Sequence, residues 1–449
     1  MKSIKLVGFF IAYLTLGCYS AFSQNPIIRD QFTADPSARV FNGKVYMFPS
    51  HDIPTPEGKG LREDWFCMED YHVFSSENLT DWTDHGMIVS QYDADWVDST
   101  SYSMWAPDCI KRNGKYYFYY PANTNIVGPN SRKGFGIGVA VADKPEGPYE
   151  VQDKPIKGIH GIDPNVLIDN DGQAYIYWSM GQIFVAKLKE NMLELESEPQ
   201  TIDNLPTAGL KEGPWVFERN GIYYLTFPHV ENNTERLEYA MGNSPMGPFK
   251  MEGVIMDESP TGCWTNHHSV IEYNDQWYLF YHQNDLSPDF DKNRSVRIDS
   301  LFFNPDGTIQ KVTPTLRGVG LTSASNRIEI DRYSDISEKG AKIEFNDPEN
   351  TFEGWKTVFK GEGSWIRYNA VHFSTRKLKN VQLGVQSDSG GKIRISNHRS
   401  KVLTEVVIPV SDGWVHVESD IKKYKKGTQD IIVELIEGQN VEIDWIRFR

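Results

Sequence analysis

The sequence predicts an all-β protein, a five-bladed β-propeller followed by a β-sandwich (jelly-roll) domain. Three observations carry this: an aromatic hairpin motif recurs five times, no helical periodicity is present, and the rhythm changes beyond residue 320. Repeats at this spacing mean one supersecondary unit stacked around an axis. A pair of β-sandwiches is the alternative.

The repeated unit is a short polar turn beside a run of Tyr, Trp, Phe and Ile. Its copies are Phe41–Phe48, Arg112–Tyr120, Asp169–Trp178, Arg219–Phe227 and Tyr273–Tyr281. Asn-Gly suits the positive φ of a two-residue hairpin turn, and the flanking aromatic and β-branched residues read as strands. Asn42, Asn113, Asn170, Asn220 and Asn274 stand 50 to 71 residues apart, one four-stranded blade plus loops. Lys144–Tyr149 and Ser244–Phe249 (both Pro-x-Gly-Pro) read as equivalent blade edges, with Ser75–Trp82 in the same place in the first blade. The repeat stops at Phe303–Ile309. Residues 24–318 are therefore assigned to the propeller, 319–325 to a linker, and 326–449 to an independent sandwich of short alternating strands.

Residues 1–23 read as a secretory signal: Lys2 and Lys5, an apolar run from Leu6 to Leu16, and Ala21-Phe-Ser23 before Gln24. The chain is expected outside the inner membrane, whether periplasmic, extracellular or attached to the outer membrane. Thr15-Leu-Gly-Cys18 loosely matches a lipoprotein box, so attachment to a membrane is expected only through Cys18. Cys67, Cys109 and Cys263 remain, too few and too irregular for a disulfide framework or zinc site. A Cys67–Cys109 pair stays open, with buried free thiols the expectation. Acidic residues outnumber basic ones, 61 to 46, which argues against nucleic acid and for a neutral ligand. The chain is read as a monomer.

Chemistry is sought in acids at blade starts. Asp35 (Ala34-Asp-Pro-Ser37), Asp163 (Gly161-Ile-Asp-Pro-Asn165) and Glu212 (Glu212-Gly-Pro-Trp215) each precede Pro or Gly-Pro and then a strand. Innermost propeller strands converge on the axis, so three acids at matching positions are expected around one cavity. Asp-Pro alone is common turn chemistry; the repetition gives it meaning. Two carboxyl groups, one ionised and one protonated, with space for water between them, hydrolyse glycosides with inversion.

These stretches, with Trp105-Ala-Pro-Asp108, Asn266-His-His-Ser269 and Arg294-Ser-Val296, resemble glycoside hydrolase family 43 across residues 25–318. The resemblance implies Asp35 as general base, Glu212 as general acid, and Asp163 tuning the acid and orienting substrate. It also implies Trp105 at the pocket wall and His267 near a calcium or water cluster in the channel. Arg294 is expected to hold a sugar hydroxyl or to pair with a catalytic acid. Trp65 and Phe66, in the insertion Gly58–Met68, are candidate substrate contacts at the rim.

Residues 326–449 resemble a carbohydrate-binding module of family 6, through Arg327–Asp331, Gly363–Tyr368, Gly413-Trp414 and Ile443–Phe448. The resemblance places a structural calcium on Glu329, Asp331 and Asp444, although Asp331 stands where Glu is usual. Trp365 and Trp414 read as core residues, which makes the module a brace for the propeller. No cofactor is required by the chemistry. The sequence points to an exo-acting pentosidase that releases α-L-arabinofuranose or β-D-xylose from plant polysaccharide. A non-catalytic glycan-binding propeller and an endo-arabinanase are the rivals.

Overall fold

The Asn-Gly turns take the backbone the sequence asks of them. Asn42, Asn113 and Asn220 have φ of 53°, 50° and 55°, each followed by a glycine at 78–79°, and Asn274-Asp275 does the same at 51° and 61°. These are two-residue turns with both central residues left-handed, matching the twist of the strands they join. The third copy differs: Asn170-Asp-Gly172 makes a longer loop closed by Gly172 N–H to Asp169 O (2.8 Å) and Asp169 N–H to Gln173 O (2.9 Å).

The computed structural model describes residues 25–449, apart from 125–133, 260, 316–317, 331–332, 334, 338, 348–354, 375–376, 398–400 and 423. The signal segment 1–23 and Cys18 lie outside the described residues. Every regular element among those described is a strand, so no helix is long and apolar enough to cross a membrane.

Five antiparallel sheets make the propeller. Their innermost strands are Phe32–Phe41, Asp108–Arg112, Ile162–Ile168, Trp215–Arg219 and His268–Tyr273, and each is the first arm of one predicted hairpin. Blades 1 to 4 have four strands in sequential order, and blade 5 has three, ending at Ser295–Leu301. The Pro-x-Gly-Pro turns sit where expected, before the outer strands Glu150–Val151 and Phe249–Met256, and each closes with an N–H···O bond of 3.0 Å. The chain start completes the last blade. Ile27 N–H donates to Val296 O (2.9 Å) and Thr33 N–H to Arg294 O (3.0 Å). The Asn25 side chain brackets Ile298, accepting from its N–H (2.9 Å) and donating to its O (3.1 Å).

Each seam between blades carries a polar tie near the axis. Asp108, fully buried, accepts from Ser37 Oγ (2.7 Å), Arg39 Nε (3.0 Å) and Val166 N–H (2.7 Å), joining blades 1, 2 and 3. Asn165 Oδ1 accepts from Val216 N–H (2.8 Å), Trp215 Nε1 donates to Val270 O (3.0 Å), and Ser269 Oγ accepts from Ala38 N–H (3.0 Å). Buried aromatic rings fill the spaces between sheets, Phe48, Phe118 and Tyr71 among them.

The C-terminal sandwich has two sheets whose facing residues form one apolar core, including Ile366, Tyr368, Leu383, Ile395, Val433 and Ile446. The strand Gly427–Gly438 alternates buried and partly buried residues along its middle, as one face of a sandwich requires. Two expectations change here. Thr322–Ser323, in the stretch read as a linker, pairs in parallel with Val371–His372, and Ala324 is buried in the sandwich core. Small residues there make a close strand contact. Trp414 is 42% exposed and Trp365 borders an open groove with Arg367, Arg394 and Glu434, so neither indole belongs to the core. The three thiols are free and buried, and Cys67 and Cys109 do not pair.

Asp108 is the test of the axial ties. Asp108→Ala strands the buried end of Arg39 and two blade contacts, and should cost about 3–5 kcal/mol of propeller stability. Urea unfolding of the variant against the parent protein measures it.

Candidate active site

Asp35 and Asp163 use one local device in two blades. In blade 1, Asp35-Pro36 sits opposite a single residue of the neighbouring strand, between the pairs Ala34↔Ser50 and Ser37↔Phe48. In blade 3, Asp163-Pro164 does the same between Ile162↔Ser179 and Asn165↔Tyr177. Both are β-bulges whose first residue is left-handed, with φ of 46° and 58°. The proline that follows has no N–H to lose from the ladder. Each carboxylate then takes a hydroxyl from the second strand: Ser50 Oγ to Asp35 Oδ2 (2.5 Å), and Ser179 Oγ to Asp163 Oδ2 (2.9 Å).

Their electrostatics differ. Burial pushes both carboxyls up. At Asp35 this is outweighed chiefly by the Arg294 guanidinium, whose Nη1 and Nη2 lie 2.7 and 3.1 Å from the carboxylate, and the pKa falls to about 2. Asp163 has no such cation. Burial, eased by His267 but reinforced by Glu212, carries it to about 7. Asp35 is thus an ionised acceptor at any working pH.

Arg294 resolves its two sequence readings in favour of a partner for the acid. Its Nε and Nη2 bind Asp52 (2.9 and 2.8 Å), and its Nη1 reaches Thr265 Oγ1 (3.3 Å) as well as Asp35. All five guanidinium donors are engaged, which leaves none for a sugar hydroxyl. His282 adds a contact no motif signals: the Asp35 N–H donates to its Nδ1 (3.1 Å), fixing the left-handed backbone. Burial and Arg294 hold the His282 ring neutral, with a pKa down at about 3.

Glu212 opens on the cavity at the start of blade 4. Gly213 next to it has φ of 52°, and a Cβ there would stand 2.9 Å from Pro228 and 3.1 Å from His267, so glycine is required. The Gly213 N–H donates to Asp163 Oδ2 (3.0 Å), which ties the acid's backbone to blade 3. Burial and then the neighbouring Glu235 carboxyl raise the Glu212 pKa well above its ordinary value.

The three acids share a cavity of about 550 Å³ with Trp65, Phe66, Trp105, Trp264, His267 and Arg294. Each blade contributes to it from the start of its inner strand. Phe66 is wedged between Arg294 (4.8 Å over the ring) and Trp65 (4.9 Å), and Arg62 stacks on Trp65 (3.1 Å), so the insertion is anchored to the site. Trp105 is steadied by Phe135 at 4.7 Å. His267 Nδ1 lies 3.7 Å from Asp35 Oδ1. Calcium takes oxygen ligands, and the carboxylate nearest the His267 ring, that of Asp35, is already held by Arg294. Outside the cavity, His51, Asp70 and His72 gather in blade 1, where both Nδ1 atoms already meet carboxylates, Asp70 at 2.7 Å and Asp84 at 3.0 Å.

In the sandwich, backbone pairing sets Glu329 opposite Trp445, next to Asp444. The Asp444 carboxylate accepts from Arg327 Nη2 (3.0 Å), and Ile330 N–H donates to Asp444 O (2.8 Å). Asp331 lies outside the described residues.

A propeller whose axial cavity holds this set of acids defines a glycoside hydrolase. Residues 23–309 match the model for glycosyl hydrolases family 43, and the chain belongs to that family. Residues 336–449 match the carbohydrate binding module of family 6. The chain is 38% identical to a xylosidase/arabinosidase 43A of Humicola insolens over 339 residues, 64% of this chain and 99% of that protein. It is 27% identical to an arabinoxylan arabinofuranohydrolase of Bacillus subtilis, over 89% of this chain and 86% of the relative. Among solved structures it resembles a β-xylosidase/α-arabinofuranosidase from a compost microbial metagenome in complex with xylotriose. That match has a TM-score of 0.58 and 33% identity, covering 65% of this chain and 98% of the other.

Arg294→Gln should move the acidic limb of kcat/KM upward by about two pH units, because the largest influence opposing burial at Asp35 is then gone. In the parent protein Asp35 is ionised down to about pH 2, so activity should hold on the acidic side, with the basic limb displaced upward in the direction that Glu212 is raised. A pH–rate profile of both proteins checks the shift.

Proposed function

We propose that the chain is an inverting, exo-acting glycosidase that removes terminal α-L-arabinofuranose, or β-D-xylose, from plant polysaccharide such as arabinoxylan or arabinan. The observation that carries this is the convergence of Asp35, Asp163 and Glu212 on one cavity, with Arg294 bound to Asp35 and none of its donors on Glu212; the Asp35 pKa is lowered and that of Glu212 raised accordingly. Asp35 takes a proton from water as its oxygen attacks the anomeric carbon, and Glu212 gives its proton to the departing oxygen. Asp163 holds the Gly213 N–H and so the position of the acid. The indoles of Trp65, Trp105 and Trp264 offer faces on which a sugar ring stacks. Relatives bearing xylosidase/arabinosidase names support the pentose choice. The leader at 1–23 supports export.

Asp35→Asn and Glu212→Gln should each lower turnover of aryl arabinofuranoside or xyloside roughly 10³-fold with the fold intact. Proton NMR of the first-formed sugar should show the inverted anomer. A retained anomer, or near-parental hydrolysis by either variant, overturns the reading. Affinity for polysaccharide without hydrolysis of any glycoside would make the propeller a binder.

The module's calcium belongs to the same proposal. Glu329 stands in the strand paired with that of Asp444, whose carboxylate offers the kind of oxygen a calcium ion takes. Chelation with EDTA should lower the melting temperature of the sandwich, and added calcium should restore it.

A further inference from the structure

Glu235 begins the third strand of blade 4 and is 1% exposed. No motif marks it. Its backbone N–H donates to Trp264 O (3.0 Å), and its Oε2 accepts the Asn266 N–H (2.8 Å). The side chain is thereby pinned to the segment that brings Trp264 and His267 to the cavity. Oε1 is buried and receives no N–H or hydroxyl hydrogen among the described residues; the Glu212 carboxyl is the side chain that interacts most with Glu235. Two neighbouring carboxyls in a dry site cannot both ionise cheaply, so at least one of them keeps its proton.

We propose that Glu235 is the positioning partner of the general acid, accepting the Glu212 O–H in the resting enzyme and so keeping that proton on Glu212 until a leaving oxygen in the cavity takes it. This rests on the reading of Glu212 as the acid. After burial, the charge acting most on Glu212 is that of Glu235, followed by Asp35. Asp163, expected to tune the acid, also meets it through the Gly213 backbone. In the reaction, the bond from the anomeric carbon to the leaving oxygen breaks, and its electron pair stays with that oxygen. The oxygen takes the Glu212 proton. Water bonds to the carbon and gives a proton to Asp35. Glu212 is then ionised beside Glu235, and that repulsion draws a proton back from solvent while Asp35 releases one, which restores the resting state.

The test is a pH–rate profile of Glu235→Gln, which keeps the shape and removes the charge, on aryl glycosides with 2,4-dinitrophenol and 4-nitrophenol leaving groups. The basic limb should move down by about one unit or more. The loss on the basic limb should be larger for 4-nitrophenol, whose departure needs the proton more. Glu235→Asp, retaining the charge, should return the limb toward its parental position. An unmoved basic limb with equal losses on both leaving groups overturns the proposal. Should the variants fail to fold, carbon-13 NMR of labelled glutamate in the parent protein decides: two carboxyls titrating in coupled steps support the pair, and independent titrations reject it. If Glu212→Gln shows no dependence on the leaving group, the acid itself is misassigned, an outcome separate from the failure of Glu235.

Discussion

The molecule depends on closing five sheets around an axis without burying an unpaired polar group there. Each sheet presents the edge of its innermost strand to the centre, where water is scarce and backbone N–H groups still need partners. The solution is one side chain per seam. Asp108 serves two seams, while Asn165, Trp215 and Ser269 serve one each. These contacts set the distance and rotation between blades, and the cavity inherits its geometry from them. Asp35, Trp105, Asp163, Glu212 and His267 all stand at or just before the start of an inner strand. Their positions follow from the ring, with little left for loops to decide.

Within that ring, chemistry comes from giving equal devices unequal neighbours. The bulged Asp-Pro and the serine opposite it are the same in blades 1 and 3. What chiefly separates a strong acid from a weak one is a guanidinium, delivered from blade 5 and paired on its far side with Asp52. Symmetry supplied the positions, and one broken symmetry supplied the function. Glu212 and Glu235 show the same economy: desolvation, usually a cost, becomes the means of keeping a carboxyl protonated.

The sequence carried the blade count because the turn chemistry is local: Asn-Gly needs no distant partner to declare itself. It also carried the three acids, since their Pro and Gly neighbours repeat with the blades. Asn170 departed from the pattern because Asp171 separates it from its glycine. What stayed hidden was pairing across the ring. Nothing near Arg294 says that Asp35 and Asp52, some 240 to 260 positions earlier, take its donors. Glu235 sits in an ordinary amphipathic strand start, and its meaning arises only from the residue it faces. The short strand at Thr322–Ser323 was illegible for a related reason: small polar residues look alike in a free connector and in a close edge contact. Trp365 and Trp414 misled by size, because a large ring in a β-domain is buried more often than not.

The seating of Asn25, Ile27 and Thr33 against Val296, Ile298 and Arg294 ties positions about 270 residues apart. Loop-closure entropy for so long a span accrues before any reward is collected. During synthesis the first blade waits, with its leading edge bare, until the fifth has been made. Asp35 gains its arginine only at that same moment. Assembly of the ring and completion of the catalytic centre are therefore a single event, and a partly made chain is an incompetent one.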